Sequence, residues 1–101
     1  MEMPAAASRP IPVLIVTAPD CHFCAELKVM LGLFAIEYPI EVEEVPLDSP
    51  RGWELAGSSA ILFPPGLFIN GEFLGYGRPS YKRIHRRLVQ LVLESTAVPA
   101  R

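Results

Sequence analysis

The 101 residues contain two cysteines, and both fall in one tetrapeptide, Cys21-His22-Phe23-Cys24. Two sulfurs spaced this way can exchange with other disulfides, form a static cross-link, or supply half of a metal site. If the tetrapeptide opens a helix, the spacing puts the two β-carbons about 5–6 Å apart, near what a disulfide tolerates. Cys21 would then face unpaired backbone N–H groups and the positive end of the helix, both of which favour a thiolate. Cys24, one turn in, would sit on the apolar stripe, where burial favours the neutral thiol. A thiol of pKa about 8.5 is only about 3% ionised at pH 7, and lowering it to about 6 makes it roughly 90% thiolate. The expected division of labour is attack by Cys21 and resolution by Cys24. His22, if protonated, would assist the thiolate. Asp20 would oppose it by charge, but is expected to cap the helix. Zinc would need two further ligands. The remaining candidates are His22, inside the motif, and His85, with no second histidine at ligand spacing.

The elements around the motif must place it. Val13-Leu14-Ile15-Val16-Thr17 is a short β-branched run, the mark of a central strand buried on both faces. Ala18-Pro19-Asp20 breaks it, and a helix is expected over 21–35, with Cys24, Leu27, Leu31 and Phe34 at helical spacing and Glu26 and Lys28 opposite. Gly32 weakens that helix by about 1 kcal/mol relative to Ala, so tertiary packing must support it. A second strand follows over 40–45. Ser49-Pro50 reads as an N-cap with proline in the first turn, opening a short helix over 51–56 that Gly57 closes. Gly66-Leu67-Phe68-Ile69 and Glu72-Phe73-Leu74 form a hairpin about Asn70-Gly71, whose residues suit a type I′ turn. Ser80 is expected to cap a last helix reaching about Glu94. Its inner stripe is Tyr81, Ile84, Leu88, Leu91 and Val92; Lys82, Arg83, Arg86 and Arg87 form its outer face. Trp53 is expected to pack the short helix, and His85 to lie at the surface.

Composition bounds the rest. One hundred and one residues fit one domain, and 50% hydrophobic with 20% charged residues excludes a disordered chain. A net charge of −2 gives no reason to expect nucleic acid or a membrane surface as partner. No apolar run approaches the roughly 20 residues that span a bilayer, and no secretory signal is legible, so the expected compartment is a reducing cytosol. There a structural disulfide is disfavoured and a redox pair is not. The expected organisation is a loose arm over 1–12, a domain over 13–95 and a tail over 96–101.

Taken together, Cys21-His22-Phe23-Cys24 after a buried strand resembles the active-site motif of glutaredoxin-like proteins of the thioredoxin superfamily, where C-H-x-C is a known variant. Phe63-Pro64-Pro65-Gly66-Leu67-Phe68-Ile69-Asn70-Gly71 resembles that family's T-V-P-x-V-F-I-N-G stretch, and Gly75-Tyr76-Gly77 is similar to its Gly-Gly turn. The resemblance implies an α/β, thioredoxin-like (glutaredoxin-type) fold. Its order is β-α-β-α-β-β-α, a four-stranded mixed sheet with helices on both faces. It implies a thiol-disulfide oxidoreductase with Cys21 and Cys24 catalytic and Pro65 the cis-proline beside them. His22, Phe23, Pro64, Tyr76, Gly77 and Arg78 would stand around the substrate, with no metal. The expected substrate is a disulfide on a protein or small thiol. No bound cofactor is expected; glutathione, another low-molecular-weight thiol or a flavoprotein reductase would supply electrons. The sequence departs from the family at two points. Pro64, before the expected cis-proline, has no N–H to offer a bound thiol, and the family's acidic partner for the glutathione amino group is missing, with Arg78, of opposite charge, nearby instead. Two other readings stay open: a non-catalytic interaction module with a redox-switch pair, and a CxxC metal carrier.

Overall fold

The computed structural model describes residues 9–97. Residues 1–8 and 98–101, and with them most of the expected arm and the end of the expected tail, lie outside the described residues. The elements run β1 (Ile11–Thr17), α1 (His22–Glu37), β2 (Ile40–Pro46), α2 (Pro50–Ser58), β3 (Gly66–Ile69), β4 (Glu72–Tyr76) and α3 (Tyr81–Ala97). One sheet contains all four strands in the order β2-β1-β3-β4. This is the α/β mixed sheet expected from the sequence, with several boundaries moved outward.

The β-branched run of β1 occupies the middle of the sheet, where both its edges are hydrogen-bonded. It pairs in parallel with β2, Ile11 opposite Ile40 through Thr17 opposite Pro46. On its other side it pairs antiparallel with β3, Val13 opposite Ile69 and Val16 opposite Gly66. The pairing explains why β1 starts two residues earlier than expected. The Ile11 N–H donates to the Pro39 carbonyl at 2.7 Å and the Asn70 N–H to the Pro12 carbonyl at 2.8 Å, so both residues are held by partners distant in sequence. β3 turns into β4 through Asn70 (φ 55°) and Gly71 (φ 82°), the two positive values a type I′ turn demands. Leu67 and Phe68 flank an irregularity in the β3–β4 register, and β4 extends to Tyr76.

Side chains alternating along the strands feed two faces. On one, Val13, Ile15, Leu67 and Ile69 meet Leu27, Leu31 and Phe34 of α1 and Ile84 and Leu88 of α3 to make the core. Each such large side chain contributes about 1.5–3 kcal/mol when fully withdrawn from water. The other face carries Leu14 and Phe68, which line a groove with Leu55 of α2. α2 is capped as expected, the Gly52 N–H donating to Ser49 Oγ at 3.0 Å with proline at the helix start, but it runs through Gly57 instead of ending there.

α1 is apolar on more than its inner stripe. Val29, Leu33 and Ile36 are 67%, 59% and 79% exposed, so Glu26 and Lys28 share the outer surface with large hydrophobics. α3 also differs from expectation. Tyr81 is exposed yet stacks on the Phe34 ring at 4.7 Å. His85 is not a surface residue. It lies half-buried beside the stacked Phe34 and Tyr81 rings, with its ring centroid 6.1 Å and 5.7 Å from theirs. Nor do the four basic residues form one solvated face. Arg83 donates to the Leu74 carbonyl at 2.6 Å, and Arg87 pairs with Glu72 at 2.9 Å, which pins α3 to β4. Trp53 packs against little; it is 69% exposed.

A polar tie joins β1, β2 and α1. Buried Thr17 donates its hydroxyl to Glu44 Oε2 at 2.7 Å, and Lys28 Nζ reaches the same oxygen at 2.9 Å. The Thr17 hydroxyl chiefly, and then Lys28, hold the Glu44 carboxyl below its ordinary pKa against an opposing desolvation. With the folded pKa depressed, the stabilisation is full above the ordinary carboxylate range. It is lost as pH falls through the lowered value. Glu44→Gln is therefore expected to cost less than about 1 kcal/mol at neutral pH, the ceiling for a half-exposed pair. Thermal melts of both chains should draw together as the pH is taken down through and below the carboxylate range; a gap unchanged by acid would refute the role given to the charge.

Candidate active site

The site grows from the turn that carries the chain out of β1. Asp20 adopts φ 53°, in the left-handed region that Asp tolerates better than most residues, and this reverses the chain into α1. The reversal leaves Cys21, not Asp20, at the N-cap, which corrects the sequence expectation. Cys21 has extended dihedrals (φ −109°, ψ 110°), and its Sγ accepts the Cys24 N–H at 3.1 Å. Its carbonyl takes the Ala25 N–H at 3.1 Å, the first bond of the helical ladder. Sulfur thus occupies the place that a Ser, Thr, Asp or Asn oxygen usually fills, among N–H groups left over by the helix start.

Cys21 and Cys24 are joined as a disulfide with their α-carbons 5.2 Å apart. Their exposures differ as their positions dictate. Cys24 is 3% exposed on the stripe with Leu27, Leu31 and Phe34, whereas Cys21 is half-buried and reachable. Beside Cys21 runs the segment that precedes β3. The Pro64–Pro65 peptide bond is cis, and Cys21 Sγ lies 3.8 Å from the Pro64 carbonyl oxygen. The Pro65 carbonyl takes the Gly77 N–H at 2.8 Å, so the end of β4 is drawn against the same segment.

Of the residues singled out in the sequence, Cys21, Cys24, Pro64, Pro65 and Gly77 are brought together by these contacts. Tyr76, Gly77 and Arg78 line a pocket with Pro65, Leu27, Ser80 and Arg83. His22 is exposed and opens instead onto a shallow apolar depression with Val29, Leu33 and Tyr81, on the outer side of α1. Phe23 is half-buried with its ring 5.9 Å from that of His22 and lines neither pocket. Among the described residues, no cluster of three His, Cys, Asp or Glu side chains is placed to hold a metal ion, and no helix is long and apolar enough to cross a membrane.

Phe63 was not singled out from the sequence, yet its ring stands against two residues that were, Tyr76 and Gly77. It is 50% exposed and meets Tyr76 edge-on at 5.2 Å. Its place immediately before two prolines was the available signal: such a loop holds an aromatic ring outward without help from a helix or strand. Ser80 and Arg83 were read as helix-capping and surface residues; the way α3 folds onto β4 turns both toward the pocket.

No protein-family model matches the chain, and no curated protein sequence does. Solved structures do. The holo form of glutaredoxin C1 from Populus tremula x tremuloides superposes with a TM-score of 0.58 at 23% identity, over 93% of this chain and 86% of that one. A wheat glutaredoxin superposes at 0.56 with 24% identity, over 88% and 84% of the two chains. A thioredoxin from Thermus thermophilus gives 0.58 with 19% identity, over 92% and 82%.

Gly77 shows how closely the site is fitted. Its φ of +82° suits glycine, and an added β-carbon would stand 2.7 Å from Cε1 of the Phe63 ring. Gly77→Ala is expected to cost on the order of 1–3 kcal/mol, from backbone strain and the displaced ring. Gly57→Ala, in α2 with nothing within 4 Å of the new carbon, is expected to hold or raise stability. Chemical denaturation of both chains checks the contrast; equal midpoints would show that Phe63 is not seated on Gly77. The strand order, the helix-opening cysteine pair and these superpositions give one result: the chain has the thioredoxin-like fold.

Proposed function

We propose that the chain is a thiol-disulfide oxidoreductase of glutaredoxin type, working in a reducing compartment. The observation that carries this reading is the placement of Cys21: its sulfur caps α1, bonds to Cys24 one turn in, and lies beside the Pro64 carbonyl on a residue that is only half-buried.

In the dithiol form, the Cys21 thiolate accepts the Cys24 N–H at the positive end of α1, a setting that favours the anion over the thiol. It attacks one sulfur of a substrate disulfide, forming a mixed disulfide and expelling the other substrate sulfur as a thiolate. Cys24 gives up its proton, which ends on the first expelled thiolate, and attacks Cys21 Sγ. The Cys21–Cys24 bond forms, the bond to substrate breaks, and the second substrate thiolate leaves. Two electrons have passed from the dithiol to the substrate. A low-molecular-weight thiol such as glutathione, or a flavoprotein reductase, returns them. The rim offered to the substrate is the Phe63–Tyr76 wall, the backbone at Pro64, Pro65 and Gly77, and Arg78.

One observation favours a second reading, an interaction module whose cysteines act only as a switch: the apolar outer face of α1 at Val29, Leu33 and Ile36. Turnover separates the two. Cys21→Ser is expected to reduce turnover of a model disulfide to background. Cys24→Ser, without added thiol, is expected to accumulate a covalent adduct through Cys21, visible as added mass that a reductant removes. A wild-type chain that cycles its own disulfide but never turns over a substrate would favour the switch, and adduct-free release by Cys24→Ser would overturn the assigned roles.

A further inference from the structure

The segment that faces Cys21 is chemically one-sided. Pro64 and Pro65 have no N–H. The Pro65 carbonyl is occupied by the Gly77 N–H at 2.8 Å. The Pro64 carbonyl is not: among the described residues no N–H group donates to it, and its recorded neighbour is Cys21 Sγ at 3.8 Å. The backbone of this segment therefore presents one unspent acceptor and no donor beside Cys21.

The geometry of a mixed disulfide decides what meets that acceptor. A thiol bonded to Cys21 has its own sulfur about 2 Å from Cys21 Sγ, and the atoms two and three bonds further on lie within roughly 5 Å. In a cysteine-like thiol those atoms are the α-carbon and its amide nitrogen. An N–H at that position can reach the Pro64 oxygen; the carbonyl on the same α-carbon finds no N–H at residue 64 or 65.

We propose that Pro64 makes this an acceptor-only docking edge. The site selects disulfides of acylated aminothiols, meaning thiols that bear an amide N–H two carbons from sulfur. It is indifferent to whether a carbonyl follows, as it does in a peptide. Specificity is thus set by what Pro64 removes as well as by what it offers, since a residue with an N–H would take both groups in a reciprocal pair. The proposal rests on the disulfide-exchange reading of the site.

The test uses the full chain with Cys24→Ser, so that Cys21 forms stable mixed disulfides whether or not the wild type turns over any substrate. Three thiols are equilibrated with it: N-acetylcysteine methylamide, its N-methylated form without the amide N–H, and N-acetylcysteamine without the following carbonyl. Each equilibrium is referenced to the same exchange with a small disulfide, which cancels intrinsic thiol chemistry. Loss of the N–H is expected to weaken the adduct about fivefold, the factor one net hydrogen bond supplies, and loss of the carbonyl to leave it within about twofold. Adding Pro64→Val supplies a donor and is expected to stabilise the N-acetylcysteine methylamide adduct about fivefold while leaving that of N-acetylcysteamine unchanged. Equal adducts with and without the N–H would overturn the proposal. So would a carbonyl preference already present with Pro64. The first arm leaves residue 64 intact, so it holds even if Pro64→Val fails to fold. Absent turnover in the wild type would count against the oxidoreductase reading alone.

Discussion

A sulfur that must serve as helix cap is the constraint around which this chain is arranged. Every helix start leaves N–H groups without intrahelical partners, and here Cys21 Sγ takes the Cys24 N–H. That contact is worth having only if α1 stays where it is, and α1 cannot be oriented by its own pattern, because its outer face carries Val29, Leu33 and Ile36. Its position is fixed by what it buries. Leu27, Leu31 and Phe34 go into a core with Val13, Ile15, Leu67 and Ile69, and each contributes more than the about 1 kcal/mol that Gly32 costs the helix. The placement of one sulfur thus depends on contacts two and three turns away.

The opposite wall obeys a complementary logic. Where the first wall collects N–H groups around sulfur, the segment at Pro64 and Pro65 has none to give. A stretch of backbone without donors cannot extend the sheet toward Cys21, so β3 begins only at Gly66 and the site remains open. The end of β4 closes the remaining side through the Gly77 N–H, and the positive φ of Gly77 leaves room for the Phe63 ring. Proline and glycine do opposite work here: the prolines withhold hydrogen bonds, and the glycine yields space.

Legibility in the sequence followed the range of the interaction. The Cys pair, the Leu27-Leu31-Phe34 stripe, the Ser49-Pro50 start and the Asn70-Gly71 turn are local signals, and each appears where its residues place it. What escaped was set by partners far along the chain. Ile11 and Pro12 joined β1 because Pro39 and Asn70 reached them. A helical wheel shows that α3 has a basic side, but not that β4 lies beneath part of it, so the ties of Arg83 to Leu74 and Arg87 to Glu72 were invisible. The same docking put His85 half-buried beside the Phe34 and Tyr81 rings instead of fully in water. The cap shifted from Asp20 to Cys21 for a subtler reason: both are competent, and only the left-handed turn at Asp20 decides which one meets the helix.

Those ties also change what the charges can do. Counted along the sequence, acidic residues crowd β2 and basic ones crowd α3, and β2 and β4 are opposite edges of the sheet. Read as a bare pattern, this is a large dipole. The structure spends much of it internally. Glu43 pairs with Arg51 at 2.5 Å and Glu44 with Lys28 at 2.9 Å on one edge, while Arg83 and Arg87 are turned onto β4 at the other. Half-exposed pairs of this kind add little stability, but they cancel each other's field at a distance. The charges on β2 keep a further use, since an edge strand studded with Glu41, Glu43 and Glu44 is a poor template for a second chain. In the pocket that Pro65 lines, Arg83 is tied to the Leu74 carbonyl while exposed Arg78 has no ion pair among the described residues, so the local charge there is set by two side chains more than by the count over the whole surface.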